Sequence, residues 1–182
     1  MLDHVAILLA EDDRNDVFLM GRAFDRAGIP NPLCVVHDGR EAVEYLSGDG
    51  EYADREQYPM PGLMLLDLKL PRMDGFDVLA WLRSQRQFDT LPVVVLSSSK
   101  VQADIDRSRE LGVYDYRVKP HDFEDLVRML DDIRKCWLDE RFNRYWVLTG
   151  ATVREDPATS QKPAERIRTR PAFPPSSPGS KV

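Results

Sequence analysis

Cysteine and histidine are scarce in this chain of 182 residues, which has two cysteines and three histidines. Cys34 and Cys136 lie far apart, and the pair lacks the spacing of a metal-binding motif. A disulfide framework or a zinc site is therefore not expected. We predict that both thiols are reduced and buried.

Long apolar runs are also missing. No stretch approaches the roughly 18 consecutive apolar residues of a membrane-spanning helix. The first residues, Met1 to His4, include an acid where a secretory signal peptide carries basic residues. These absences predict a cytoplasmic protein without membrane contact.

Positive charge is in short supply, because the formal net charge is -6. A nucleic-acid partner is not expected, since phosphate backbones favour a basic surface. Segment 157–182 is the exception, with five basic residues, one acid and six prolines. It has too few large apolar residues to offset the entropy cost of ordering. We therefore predict one folded domain over residues 3–148 and a flexible Pro/Arg-rich tail over residues 149–182.

Within the folded part, short apolar runs alternate with amphipathic segments. The apolar runs predict five strands, at residues 5–10, 33–36, 63–66, 93–96 and 113–118. A helical pattern follows each run, and the last one begins near Asp122 and extends past Trp137. Five strand-helix units predict an α/β fold: a doubly wound parallel sheet with helices on both faces.

Polar residues that can carry chemistry follow four of the five strands. Glu11 and Asp12 follow the first strand, Asp67 the third, Ser97 the fourth and Lys119 the fifth. In open parallel sheets, functional residues gather beyond the carboxyl ends of the strands. Taken separately, each is more often a helix cap or a surface turn than a functional group. Together, in this order, they predict one site.

The residue types suit phosphoryl transfer to an aspartate. Asp67, at the end of a buried strand, can be the nucleophile. Glu11 and Asp12 offer the hard oxygen ligands that Mg²⁺ prefers. The Lys119 ammonium and the Ser97 hydroxyl can hold phosphoryl oxygens where negative charge accumulates.

The stretches that carry these residues resemble the receiver domains of bacterial two-component response regulators. The matching segments are 7–13, 65–75, 93–97 and 118–120. The resemblance implies a flavodoxin-like (βα)5 sheet of order 2-1-3-4-5. It implies phosphorylation of Asp67 by a sensor histidine kinase, with Mg²⁺ held by Glu11, Asp12 and Asp67.

The resemblance implies three further features of the site. The backbone carbonyl of Lys69 is a third protein contact of the metal. Tyr116 is an aromatic switch residue, which turns inward as Ser97 moves toward the phosphate; a plain edge-strand aromatic is the alternative. The Lys119–Pro120 peptide bond is often cis in such domains.

Too few residues follow the last helix for a helix-turn-helix output domain. We therefore expect output by protein-protein contact or by onward phosphotransfer. The chain would be a stoichiometric switch and not an enzyme. A phosphorelay intermediate and a phosphate sink remain alternatives.

Two details resemble the single-domain regulators that serve phytochrome-type histidine kinases. They are the long loop at residues 47–62 and the aromatic end of the last helix. Exposed aromatics on a protruding helix suggest a partner surface. We therefore predict a homodimer through four aromatic residues: Trp137, Phe142, Tyr145 and Trp146. The alternative is that they fold back onto their own domain.

One rival function comes from a different class. Phosphatases of the haloacid dehalogenase type also use a strand-end aspartate, a lysine and magnesium. They carry a second aspartate two residues after the nucleophile, where this chain has Lys69. Their metal carboxylates come late in the chain, whereas Glu11 and Asp12 come first. The phosphatase alternative is therefore remote.

Overall fold

The computed structural model describes residues 5–141 and 167–168. The strands are β1 (Ile7–Ala10), β2 (Leu33–Val36), β3 (Leu63–Leu66), β4 (Val93–Ser97), β5 (Asp115–Val118) and β6 (Ile167–Arg168). The helices are α1 (Arg14–Arg26), α2 (Gly39–Ser47), α3 (Gly75–Ser84), α4 (Gln102–Glu110) and α5 (Phe123–Ile133). A π-helical segment, Arg134–Arg141, continues α5, and short 3-10 turns cover Gly50–Ala53 and Arg86–Phe88.

All the strands are parallel, and the sheet order is β5-β4-β3-β1-β2-β6. The first five strands confirm the predicted order 2-1-3-4-5. The sixth strand was not predicted, because two residues are too few to show a strand pattern. Ile167 and Arg168 pair with Leu33 and Cys34. They are the only residues of the predicted tail that the structure describes.

Two apolar cores cover the two faces of the sheet, because successive strand residues point to opposite sides. Ile7 and Leu9 face α1 and α5, while Leu8 and Ala10 face α2 and α3. The central strands β1, β3 and β4 are fully buried. They read as continuous apolar runs for that reason.

Aspartates cap the N-termini of four helices, and each accepts hydrogen bonds from amides of the first turn. They are Asp13 for α1, Asp38 for α2, Asp74 for α3 and Asp122 for α5. Such caps satisfy backbone donors that have no partner inside the helix. The caps therefore fix where these four helices begin.

Two predictions about buried and exposed residues were wrong. Trp137 does not lie on a free surface: it is 5% exposed and packs with Leu130 and Ile133 in the core under α5. Its ring meets the Tyr114 ring edge-on at 4.7 Å. The helical pattern indicated an apolar face, but not that the same domain covers it. Cys136, which was predicted to be buried, is exposed.

Phe142, Tyr145 and Trp146 lie outside the described residues, so the rest of the predicted dimer surface stays a prediction. In the part of the chain that the structure describes, no helix is both long and apolar enough to cross a membrane.

Candidate functional site

The carboxyl ends of four strands bring the predicted site residues to one edge of the sheet. The amide of Glu11 donates to the Val36 carbonyl at 2.9 Å, and the amide of Asp67 donates to the Ala10 carbonyl at 3.1 Å. The amide of Lys119 donates to the Ser97 carbonyl at 2.9 Å. The ladder hydrogen bonds therefore fix each site residue directly beyond its strand.

The ammonium of Lys119 lies at the centre of the site. Its Nζ donates to Oε2 of Glu11 and to Oδ2 of Asp67, both at 2.5 Å. It also donates to Oδ2 of Asp16 at 2.9 Å. The sequence predicted the first two partners as members of one site, and Asp16 was missed.

Burial and charge shift the pKa values of two of these groups. Burial raises the pKa of the Glu11 carboxyl above 4.5, and the hydrogen bond from Lys119 opposes this shift. Burial alone would lower the pKa of Lys119, but its hydrogen bonds to Asp67 and Glu11 outweigh burial and raise it. Lys119 is therefore a permanent cation at neutral pH.

The loop that follows Asp67 is held tightly. Oδ1 of Asp67 accepts a hydrogen bond from the Lys69 amide at 2.9 Å. Gly75 packs on the same loop, where a Cβ atom would lie 2.5 Å from the Asp67 carbonyl oxygen. Any side chain at position 75 would therefore push the loop after Asp67 out of place.

A second contact pins this loop to the start of α2. Arg72 has a positive φ of 63°, which is uncommon for a residue other than glycine. Its guanidinium forms an ion pair with the buried Asp38, the N-cap of α2. Gly39 lies against the Met73 carbonyl, where a Cβ atom would be 2.0 Å from the oxygen. The β2–α2 and β3–α3 loops therefore form one packed unit.

A polar network that the sequence did not reveal supports the loop after β1. The His37 ring nitrogen Nδ1 lies 3.1 Å from the Glu11 carbonyl oxygen. The His37 amide donates to Glu41, and the Tyr52 hydroxyl donates to the same carboxylate, each at 2.6 Å. Glu41 is buried, so these hydrogen bonds offset its desolvation. Because the contacts span distant parts of the chain, local sequence patterns could not have shown them.

The two predicted switch residues, Ser97 at the end of β4 and Tyr116 in β5, both contact the β4–α4 loop. Ser97 is fully buried, and its hydroxyl oxygen accepts from the Ser99 amide at 3.1 Å. The Tyr116 hydroxyl donates to the Ser99 carbonyl at 3.0 Å. Ser99 also donates through its own hydroxyl to Asp104 in α4, at 2.5 Å. Ser99 thus joins Ser97, Tyr116 and α4, a role that the sequence did not indicate.

The Lys119–Pro120 bond differs from the expectation raised by the resemblance. Every peptide bond of the described residues is trans, this one included. Bonds before proline favour trans by only about 0.5 to 1 kcal/mol, so either isomer suits such a position.

The donors at this edge fit a hard divalent cation in their chemistry. Asp12 is exposed, next to the buried Glu11. Three carboxylates, those of Glu11, Asp16 and Asp67, contact the one ammonium of Lys119, so this cluster carries a net negative charge. Among the described residues, no three acidic, imidazole or thiol side chains are already grouped as a metal site. Instead, the Lys119 ammonium lies between the carboxylates of Glu11 and Asp67 and donates to both.

The sequence model of the response regulator receiver domain matches residues 7–131. The chain belongs to this family. Receiver domains are signalling modules of two-component phosphorylation systems, and this membership gives no support to the phosphatase alternative.

Two relatives show how closely this receiver domain resembles known proteins. Response regulator Rcp1 of Synechocystis is 38% identical over 133 residues, which cover 73% of this chain and 88% of Rcp1. The probable methanogenesis regulatory protein FilR2 of Methanothrix harundinacea is 36% identical over 139 residues, which cover 75% of this chain and 85% of FilR2.

Solved structures extend the likeness to the fold. The phosphorylated cyanobacterial phytochrome response regulator RcpA has a TM-score of 0.69 and 38% identity, covering 75% of this chain and 95% of RcpA. The Mn²⁺-bound form of Rcp1 has a TM-score of 0.67 and 37% identity, covering 75% of this chain and 96% of that structure. A relative of this receiver domain therefore binds a divalent metal ion.

Proposed function

We propose that Asp67 accepts a phosphoryl group from a histidine kinase and that this chain is the switch of a two-component system. One observation carries the proposal: the Lys119 ammonium contacts Asp67 and Glu11 at once, at 2.5 Å each. A carboxylate that acts as nucleophile needs a fixed cation beside it to offset the negative charge of the incoming phosphoryl group.

In the proposed transfer, an oxygen of Asp67 forms a bond to phosphorus while the phosphorus–nitrogen bond of the kinase phosphohistidine breaks. The imidazole leaves with the electron pair. Lys119 is an ammonium at neutral pH, and it neutralises charge on the phosphoryl oxygens. The buried Ser97 hydroxyl can donate to a further phosphoryl oxygen.

The proposed metal ligands are the carboxylates of Glu11, Asp12 and Asp67 and the backbone carbonyl of Lys69. Mg²⁺ bound there would screen the acceptor from the negative phosphoryl group. The charge balance of the site supports this set. Calorimetric titration with Mg²⁺ tests it, and we expect Glu11→Gln and Asp12→Asn each to weaken binding.

The proposed readout runs through Ser97 and Tyr116. A bond between Ser97 and the phosphoryl group would draw its hydroxyl away from the Ser99 amide. Since the Tyr116 hydroxyl holds the Ser99 carbonyl, this shift would reach α4 through the same residue. Phosphorylation then acts by favouring one of two loop arrangements.

The first experiment is the intact mass of the protein after incubation with acetyl phosphate and Mg²⁺. We expect a gain of one phosphoryl group in the wild type, and no gain with chelator or in Asp67→Asn. Asp106→Asn, on the exposed side of α4, is the matched control and should behave as wild type. An unmodified wild type that also fails to bind beryllofluoride would contradict the proposal.

We propose a phytochrome-type sensor kinase as the phosphoryl donor. The long loop and the likeness to RcpA and Rcp1 support this pairing, while the name of FilR2 points to a different process. Phosphotransfer rates from a purified phytochrome-type kinase and from a kinase of another sensory class test it. Equal rates would remove the support for this pairing.

The remaining proposals concern the setting of the switch. It acts stoichiometrically in the cytoplasm without nucleic acid, and pairs as a homodimer through Phe142, Tyr145 and Trp146. Light scattering on the triple alanine variant tests the dimer.

Transfer of the phosphoryl group from the phosphorylated protein to a histidine phosphotransfer domain would favour a relay intermediate. Hydrolysis alone would favour terminal output or a phosphate sink.

A further inference from the structure

Asp16 is a third acidic partner of Lys119 beyond Glu11 and Asp67. It lies in the first turn of α1, where Asp13 caps the helix and accepts from the Asp16 amide. Side chains on a helix lean toward its N-terminus. That direction carries the Asp16 carboxylate back over the site edge, where Oδ2 lies 2.9 Å from Nζ of Lys119.

The three contacts use the full donor capacity of the Lys119 ammonium, which has three N–H groups. Two of them go to Glu11 and Asp67, which are also proposed ligands of Mg²⁺. Bound Mg²⁺ would compete with Lys119 for the oxygens of both carboxylates. Asp16 is then the partner that Lys119 can keep.

We propose that Asp16 is a positioning residue that holds Lys119 to the α1 side of the site, so that Glu11 and Asp67 are released to Mg²⁺ without leaving the ammonium unpaired. This inference rests on the proposed function, because it assumes the metal site described above. Without Asp16, the acidic partners of the Lys119 ammonium among the described residues are the two proposed metal ligands. Mg²⁺ then has to compete with a buried ammonium for the same oxygens.

A surface ion pair without functional consequence is the alternative reading of this contact. The Asp16 side chain is 42% exposed, and exposed pairs contribute little to folding stability. Lys119, however, is 17% exposed, so its hydrogen-bond partners are not easily replaced by water. The two readings differ in what they predict for metal binding, and both allow an unchanged melting temperature.

The decisive measurement is the dissociation constant for Mg²⁺ by calorimetry of the full chain. We expect Asp16→Ala to raise it about threefold to fivefold, because a partly exposed ion pair contributes up to about 1 kcal/mol. Asp16→Glu should restore part of the affinity. Asp13→Asn is the matched control, since it removes a charge from the same turn while asparagine keeps the cap. An equal rise in Asp13→Asn and Asp16→Ala would overturn the inference.

A double-mutant cycle shows whether Asp16 acts through Lys119. In a Lys119→Met background, Asp16→Ala should change the Mg²⁺ dissociation constant by less than about twofold, because the residue that Asp16 holds is absent. A rise as large as in the wild-type background would overturn the inference and assign Asp16 a direct effect on the metal.

A metal-free readout separates this inference from the proposed function. The ammonium protons of Lys119 should exchange slowly enough with water to give a nitrogen-15 correlated signal in the wild type, and Asp16→Ala should broaden it. A signal unchanged in Asp16→Ala would overturn the inference.

Absence of Mg²⁺ binding by the wild type would overturn the metal site and the inference together. Wild-type binding with an unchanged Asp16→Ala constant would overturn the inference alone.

Discussion

The two halves of the sheet that flank the central strands β1, β3 and β4 are packed very differently. Strand β2 lies on one side of these three strands, and strand β5 lies on the other. All four residues of β2 are buried, and α2 beside it buries Ala42, Tyr45 and Leu46. All four residues of β5 are half-exposed, and α4 beside it buries only Ser108. The β2 side is therefore the more tightly packed of the two. The β5 side has few apolar contacts to resist a change of position.

The polar contacts of the two sides follow the same division. On the β2 side they join neighbouring loops, as Arg72 does with Asp38, and hold the metal loop through His37. On the β5 side they meet at Ser99, next to the switch residues. Such a site can keep the loops that carry Glu11 and Asp67 fixed while Ser97 and Tyr116, the proposed switch residues, would respond to phosphorylation.

The largest expected difference between the two sides is in core packing. Leu46→Ala on α2 should lower the free energy of unfolding by about 2 to 5 kcal/mol, because the side chain is buried and leaves a cavity. Ile105→Ala on α4 removes a similar volume from a half-exposed position, and should cost about 1 kcal/mol or less. Urea denaturation measures both. Equal losses would contradict the comparison.

A smaller difference is expected where arginines cap two helix ends. Arg55 donates to the carbonyls of Tyr45 and Leu46 at the end of α2, both at 2.8 Å. Arg83 donates to the carbonyls of Leu111 and Gly112 after α4, both at 2.9 Å. Each guanidinium therefore supplies two donors to carbonyls at the C-terminal end of a helix.

Arg55→Ala should lower the free energy of unfolding by about 1 to 3 kcal/mol, because it removes two hydrogen bonds from a charged group to carbonyls of buried residues. Arg83→Ala should cost less, since water can reach the exposed Gly112 carbonyl. Arg55→Lys is the control, because lysine keeps the charge without the fork of donors. A greater loss in Arg83→Ala, again by urea denaturation, would reverse the expected order.

Much of this architecture could be predicted from the sequence, for identifiable reasons. Buried parallel strands are short apolar runs bounded by polar residues, so β2 and β3 were located at their observed bounds. Asp67 was found because a carboxylate directly after such a run is easily seen. The order of the strands came from the resemblance, and not from the runs themselves.

Two features were missed or misread because they depend on contacts between distant residues. Asp16 and Lys119 are 103 positions apart, and nothing in the local pattern around Asp16 distinguishes it from an ordinary first-turn acid. The apolar face that includes Trp137 was visible at helical spacing, yet the pattern could not show which molecule covers it. Tertiary packing decides whether this face is covered by its own domain or by another molecule, and a single sequence does not show that packing.

The response to phosphorylation should be confined to the β5 side. With beryllofluoride and Mg²⁺, amide hydrogen exchange in residues 99–104 should slow about tenfold, equivalent to about 1.4 kcal/mol, as Ser97 and Lys119 gain a bound anion. Exchange in β2 should stay unchanged, because its hydrogen bonds lie in the packed side. Asp67→Asn with the same reagents is the control. Equal slowing in β2 would show that the β2 side also responds.

The smallest expected effect concerns the side chain of Ser99. Its hydroxyl donates to Asp104 at 2.5 Å and accepts from the Val101 amide at 3.2 Å, so it fixes the first turn of α4 to the switch loop. Ser99→Ala should lower the free energy of unfolding by less than about 1 kcal/mol, because both contacts lie near the surface. Amide exchange in the first turn of α4 should nevertheless accelerate.

Ser84→Ala is the matched control for this substitution, because the Ser84 hydroxyl bonds the Trp81 carbonyl at the end of α3, away from the switch. If Ser99 couples the switch to α4, the slowing of exchange that beryllofluoride causes should shrink in α4 of Ser99→Ala and persist in Ser84→Ala. Full slowing of α4 in Ser99→Ala would mean that the loose packing of the β5 side, and not this hydrogen bond, carries the response.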